Sequence, residues 1–122
     1  MAKPISPLPP APAPTSHPAQ AGACDTHAHL LAAPEEAPLF DGRTEDTATT
    51  YADYLTRYRA HLANLGCTRG VIVQSIFYGT DNTITARAVA DMGDGFKGIG
   101  LLPDGAQEAD FDALSNWNME GV

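Results

Sequence analysis

The sequence predicts an α/β fold with a parallel sheet and helices packed outside it, and three observations carry that reading. Strand-like and helix-like segments alternate at the spacing of β–α units. The run Val71-Ile72-Val73 is unbroken and apolar, as in a strand covered on both faces. Tyr51, Tyr54, Leu55, Tyr58, Leu62 and Leu65 recur at intervals of three and four, which is the stripe of an amphipathic helix.

Residues 1–21 (MAKPISPLPPAPAPTSHPAQA) are mostly Pro, Ala and Ser. Proline removes backbone donors and biases the residue before it away from helix, so a disordered, extended and mobile arm is expected here. Its PLPPAPAP run is also the composition of a ligand for proline-binding modules. His17 lies in this arm and receives no role.

From Gly22 the texture changes, and residues 22–122 form the folding unit. The first strand is expected over Ala23–Leu31, followed by a loop marked by Pro34, Pro38 and Asp41-Gly42. A helix follows from about Thr50 to Leu65, with Thr50 and Asp53 spaced as a capping box and Gly66 as its left-handed stop. The second strand covers Arg69–Ser75, and a loop over Ile76–Asp81 pivots on Gly79. A second helix is expected from Asn82 to Met92, capped by Asp81 or Asn82 and stopped by Gly93 and Gly95. The third strand spans Lys97–Leu102 and ends at Pro103-Asp104-Gly105. A third helix from Glu108 to Trp117 places Phe111, Leu114 and Trp117 on one side, and Gly121-Val122 opens a fourth strand. From residues alone this order fits either an open doubly wound sheet or part of a barrel. The lack of G-x-G-x-x-G after the first strand, and of a P-loop, weakens phosphate-binding versions of the open sheet.

Composition excludes several functions. With 15 acidic against seven basic residues, and a net charge of −8, the chain cannot supply a phosphate-binding patch, so nucleic acid is excluded as a partner. No stretch reaches the roughly 20 apolar residues of a membrane span, and the N-terminus lacks the apolar run of a secretory signal. Cys24 and Cys67 read as free thiols of a reducing compartment, so a cytoplasmic protein is expected.

The sharpest chemical feature is Asp25-Thr26-His27-Ala28-His29. Alternate residues of a strand share a face, so His27 and His29 should point the same way with Asp25 behind them. At the C-terminal end of a parallel strand such a pair can chelate a divalent metal or grip a carbonyl or anionic oxygen. On solvent-facing strands the same pattern is often incidental. Gln74, Ser75, Tyr78 and Asn82 follow the second strand and face the same mouth, where they could bind a carboxylate or hydroxyl. The alternative for these residues is ordinary loop chemistry, with Asp81 or Asn82 capping a helix. The tyrosine stripe reads as packing, His61 as a surface residue, and neither cysteine as a nucleophile.

Gly22-Ala-Cys-Asp-Thr-His-Ala-His-Leu30, with Arg69-Gly-Val-Ile-Val-Gln-Ser75 and Tyr78-Gly-Thr-Asp-Asn82, resembles the amidohydrolase-related (amidohydrolase family 2) metal-dependent hydrolases. Within them it is most similar to the 2-pyrone-4,6-dicarboxylate lactonase and galactarolactone-type sugar lactonase branch. The resemblance covers about residues 22–122. It implies the N-terminal part, about three βα units, of a TIM-type (β/α) barrel with its site at the C-terminal strand ends. It makes His27 and His29 the strand-one histidines, catalytic and also metal ligands if a metal is bound. It places Gln74, Ser75, Tyr78 and Asn82 at a pocket for a small carboxylate or lactone. Many relatives use Zn there, whereas the lactonase branch looks able to work without a metal. The family's catalytic carboxylate lies on the last barrel strand, beyond the positions of this sequence. The expectation is therefore a truncated hydrolase acting, when complete, on a lactone or carboxylic ester of a small dicarboxylate or sugar acid, and inactive as this chain alone. The alternatives are half of a split hydrolase completed by a partner chain, a non-catalytic metal- or ligand-binding module using the same histidines, and a non-enzymatic interaction protein acting through the proline-rich arm. Self-association through the open sheet edge is a further expectation.

Overall fold

A computed structural model describes residues 2–122. Four parallel strands form the main sheet: β2 (Cys24–Ala28), β4 (Arg69–Val73), β5 (Phe96–Ile99) and β6 (Met119–Gly121). Between them run α1 (Tyr51–Leu65), α2 (Thr83–Met92) and α3 (Glu108–Asn116). The spatial order β2-β4-β5-β6 follows the chain order without a reversal. A doubly wound sheet reverses direction at its first strand, whereas a barrel adds each strand beside the last. This settles the choice left open by the residue pattern: the unit is a partial barrel. The strands are shorter than the sequence suggests, because Leu30 and Leu101 lie in connections whose apolar side chains extend the pattern past the ladder.

Local chemistry explains the helix limits. Thr50 is extended and its hydroxyl accepts from the Asp53 amide (3.3 Å), while Gly66 turns left-handed at φ 80° and donates to the Leu62 carbonyl. At α2 the cap is Asp81, whose carboxylate accepts from the Thr83 amide (3.1 Å) and hydroxyl (2.6 Å). The stripe expected on α3 is only partly realised. Leu114 is buried, but Phe111 and Trp117 are about half exposed, so this helix presents an apolar surface outward.

Ile72 sits at the centre of the sheet with no solvent exposure, and Tyr54, Leu55, Leu62, Ala88, Val89 and Phe96 belong to the same core. Glycines let the layers close. A Cβ on Gly70 would stand 2.6 Å from both Phe96 and the Tyr58 hydroxyl. Three tyrosines enter this core with their hydroxyls. Tyr78 is pushed up to about 12 by burial, an effect partly offset by its hydrogen bond with Ala32. Tyr51 and Tyr58 are raised further, first by burial and then by neighbouring Asp91 and Asp25 respectively. A raised tyrosine favours the fold fully below the ordinary value near 10 and loses that contribution as pH climbs through the folded value. Stability should therefore fall above about pH 10, with the Tyr78 share gone by about pH 12. Ultraviolet phenolate titration should show these three hydroxyls resisting ionisation until the chain unfolds, and normal titration of all of them in the folded chain would contradict the packing.

The arm is extended, as proline content requires, but it lies against the unit where mobility was expected. β1 (Ile5–Ser6) pairs in parallel with β3 (Asp46–Thr47). Further on, Arg57 donates to the Pro9 carbonyl, His61 Nε2 approaches the Pro10 carbonyl (2.9 Å), and the Ala19 amide donates to Leu65 O (2.7 Å). A polyproline backbone keeps its carbonyls free, and α1 offers cations and a helix end to meet them.

Candidate functional site

His27 and His29 emerge where β2 ends, and both are exposed. Their Nε2 atoms approach to 3.3 Å, with ring centroids 4.9 Å apart and the planes at 87°. His29 Nδ1 lies 2.8 Å from the Val73 carbonyl on neighbouring β4. A carbonyl only accepts, so Nδ1 carries the proton and the Nε2 lone pair of neutral His29 is left facing His27. His27 then presents Nε2–H, donating to His29 or to an oxygen that takes its place.

Asp25 does not stand behind the pair. Its Cα registers with Gly70, yet Ala28 registers with Ile72, so three steps of β2 run against two of β4. This bulge changes the facing of side chains midway along the strand. Asp25 follows Gly70 towards α1, where its carboxylate neighbours the Tyr58 hydroxyl and accepts from the His27 amide (3.3 Å). Beyond the bulge, His29 reaches the Val73 carbonyl and lines one hollow with Asp25 and the α1 residues Arg57 and Tyr58. Simple alternation misses this because nothing in D-T-H-A-H marks a bulge.

The second set of residues surrounds the same strand end but is turned inward. Gln74, Ser75, Tyr78 and Asn82 are all buried. Gln74 Nε2 donates to the carbonyls of Gly79 (2.9 Å) and Asp81 (2.8 Å), and its Oε1 accepts from Thr85 Oγ1 (2.6 Å). Ser75 Oγ accepts from the Phe77 amide (3.2 Å) and opens a short 3-10 turn over Ile76–Tyr78. The Tyr78 hydroxyl accepts from the Ala32 amide (2.7 Å) and donates to the Ala32 carbonyl (3.2 Å). Asn82 brackets Leu101, accepting from its amide (2.8 Å) and donating to its carbonyl (2.9 Å). These polar groups are thus occupied by the protein itself. In the structure these side chains act as loop clamps: Tyr78 ties the connection after β4 to that after β2, and Asn82 ties it to that after β5. Thr85, the buried partner of Gln74, and the Val73 carbonyl escape sequence reasoning, because a threonine on an apolar helix face and a main-chain oxygen carry no motif.

A tetrahedral zinc holding two imidazoles at ~2.05 Å would set their nitrogens roughly 3.3 Å apart. The observed 3.3 Å separation therefore fits two positions of such a shell. Among the described residues no group of three or more His, Cys, Asp or Glu could hold a metal ion. The chain offers a pair of ligands without a third, so no chemical step is derived through a metal.

No family model matches the sequence. The chain is 26% identical to a probable 2-pyrone-4,6-dicarboxylic acid hydrolase of Acinetobacter baumannii, crystallised with citric acid bound, at a TM-score of 0.66 over 81% of this chain and 36% of that one. It is 25% identical to a protein of Pseudomonas putida assigned as a 2-pyrone-4,6-dicarboxylic acid hydrolase, at a TM-score of 0.63 over 85% of this chain and 37% of that one. A protein of Agrobacterium tumefaciens shares the fold at a TM-score of 0.60 and 23% identity, over 98% of this chain and 38% of that one. The chain thus spans between a third and two fifths of the length of these structures. No helix among the described residues is long and apolar enough to cross a membrane. This chain has the fold of, and is similar in sequence to, amidohydrolase-type 2-pyrone-4,6-dicarboxylic acid hydrolases over about a third of their length.

Proposed function

We propose that this chain carries the carbonyl- and carboxylate-gripping part of an amidohydrolase-type hydrolase acting on a lactone or ester of a small dicarboxylate or sugar acid, in a cytoplasmic setting. The observation that carries the reading is the convergence of two Nε2 atoms at 3.3 Å at a parallel strand end, with His29 oriented by Val73 O. In this reading His27 donates its Nε2–H to the substrate oxygen, and a proton taken up by His29 adds a second donor. A carboxylate held by both receives charge-assisted hydrogen bonds. The named ligand of one relative, citric acid, is a polycarboxylate, which supports that class. Were a divalent metal held here, His27 and His29 would supply two of its ligands, and it would polarise the substrate carbonyl.

Water activation is absent from the residues described. The carboxylate nearest in sequence, Asp25, is engaged by the His27 amide and neighbours the Tyr58 hydroxyl. The 122-residue chain should therefore bind and not turn over. Titration of 2-pyrone-4,6-dicarboxylate into the chain, followed by histidine ring resonances, should show saturable shifts of both imidazoles. His27→Ala or His29→Ala should weaken binding about tenfold to a hundredfold, the worth of one hydrogen bond to a charged group. Binding unaffected by both substitutions contradicts the site, and lactone hydrolysis by this chain that His27→Ala abolishes contradicts the missing-base account.

A further inference from the structure

We propose that the N-terminal arm is a releasable strap: docked, it holds the connection between β2 and α1 beside the histidine pair, and released, it lets that connection open and weakens the grip on a carboxylate. The holding role rests on the fold alone, whereas its effect on binding rests on the hydrolase reading.

The connection, residues 29–50, leaves directly from the histidine strand and is anchored from two sides. On the inner side it is tied to the turn after β4, where the Tyr78 hydroxyl bonds Ala32 and the Phe40 amide donates to the Phe77 carbonyl (2.7 Å). On the outer side the arm supplies the anchors. Lys3 Nζ donates to the Asp41 carbonyl (2.7 Å) and to the Arg43 carbonyl, so one ammonium gathers two points of the loop backbone through charge-assisted bonds. The Asp46 amide donates to the Pro4 carbonyl (2.8 Å), and β1 registers Ile5 with Asp46 and Ser6 with Thr47. Farther along, Arg57 and His61 of α1 hold the carbonyls of Pro9 and Pro10. The arm thus fastens both to α1 and to the loop that precedes it. The fold match to the Agrobacterium tumefaciens protein takes in 98% of this chain and so reaches into the arm.

These fastenings are built to open. A two-residue ladder is marginal by itself, and the contacts of Arg57 and His61 are exposed, which puts the arm at the low-stability end of the molecule. Thr47 opposes docking. It is 7% exposed, its hydroxyl has no hydrogen-bond partner, and it lines a hollow with Lys3 and Ile5 of the arm. A hydroxyl buried without a partner is destabilising, and lifting the arm opens that hollow to water. Lys3 and Thr47 therefore pull in opposite directions on one equilibrium, and the connection beside His29 follows it.

Amide hydrogen exchange in the full chain reads that equilibrium. Lys3→Ala should speed exchange about tenfold at Asp46 and also at Phe40, whose bond to Phe77 lies on the inner side of the connection. Lys3→Arg should restore the parent rates, and Thr47→Val should slow both amides about threefold. The Ile72 amide should be unmoved in all three variants, which separates strap release from global unfolding. Unchanged rates in Lys3→Ala overturn the proposal, as does a change confined to Asp46, which makes the arm a local contact. Thr47→Val rates equal to or above those of the parent overturn it as well. If Ile72 is also freed in Lys3→Ala, Thr47→Val decides. In Lys3→Ala the dissociation constant for 2-pyrone-4,6-dicarboxylate should rise about fivefold. An unchanged constant overturns the strap's part in binding. Absence of binding by the parent strikes the hydrolase reading instead, and the exchange rates alone then decide the holding role.

Discussion

Gln74→Leu is expected to cost about 2–4 kcal/mol of stability and to loosen the whole mouth of the sheet, although leucine nearly matches glutamine in size. The Thr85 hydroxyl, 1% exposed, would lose its 2.6 Å acceptor and gain none. The carbonyls of Gly79 and Asp81 would lose their shared donor. An orphaned buried polar group costs about 1–3 kcal/mol, and these three hold one loop. Thr85→Val alone should cost less than Gln74→Leu, and the double variant less than the sum, because the second change removes a partner already orphaned. Urea melts of the four proteins measure this directly. Strict additivity, or a loss below about 0.5 kcal/mol in Gln74→Leu, would show that the clamp does not hold the loop.

Ile72→Ala should have an effect of similar or larger size by a different route. Ile72 is fully buried at the sheet centre, its Cα registered between Ala28 of β2 and Gly98 of β5. Truncating a core isoleucine costs about 2–5 kcal/mol, the transfer loss plus a cavity that glycine and alanine neighbours cannot fill. Small domains have about 5–15 kcal/mol in all, so this variant should approach unfolding, while Ile72→Val should lose only about 0.5–1.5 kcal/mol. The effect should reach the site, since the next carbonyl along the strand, Val73 O, orients His29. Comparable losses for alanine and valine would place Ile72 outside the core.

Much of the fold was legible in the residues because local signals agreed with one another. Thr50 and Gly66 bound α1 through chemistry that acts within four residues. Val71-Ile72-Val73 reads as a strand, but the expected burial on both faces is not met: Gly70 and Ile72 are buried, while Val71 and Val73 are half-buried on the other face. What pattern could not decide was closure, since a sheet that reverses and a sheet that advances share the same alternation; β2-β4-β5-β6 advances. The histidine pair was visible for the same local reason, a two-residue period. The inward turn of Gln74, Ser75, Tyr78 and Asn82 was not. Polar side chains after a parallel strand suit a ligand or a loop backbone equally, and the backbone partners they find here, at Gly79, Asp81 and Leu101, carry no sequence signal. Asp25 illustrates the limit most plainly. One extra residue in β2 sends it to the helix side, and a bulge is a relation between two strands that neither announces alone. The docked arm is a further example, since the donors that meet Pro9 and Pro10 lie about fifty residues away on α1.

The most direct measurement is long-range nitrogen–proton correlation of the imidazoles in the folded chain, at a pH where both rings are neutral. His29 should show a protonated Nδ1 and a bare Nε2, because the Val73 carbonyl can only accept, while His27 shows its proton on Nε2. The reverse tautomer at His29, or no contact between the two rings, would mean that the pair does not converge and that the site has no gripping centre.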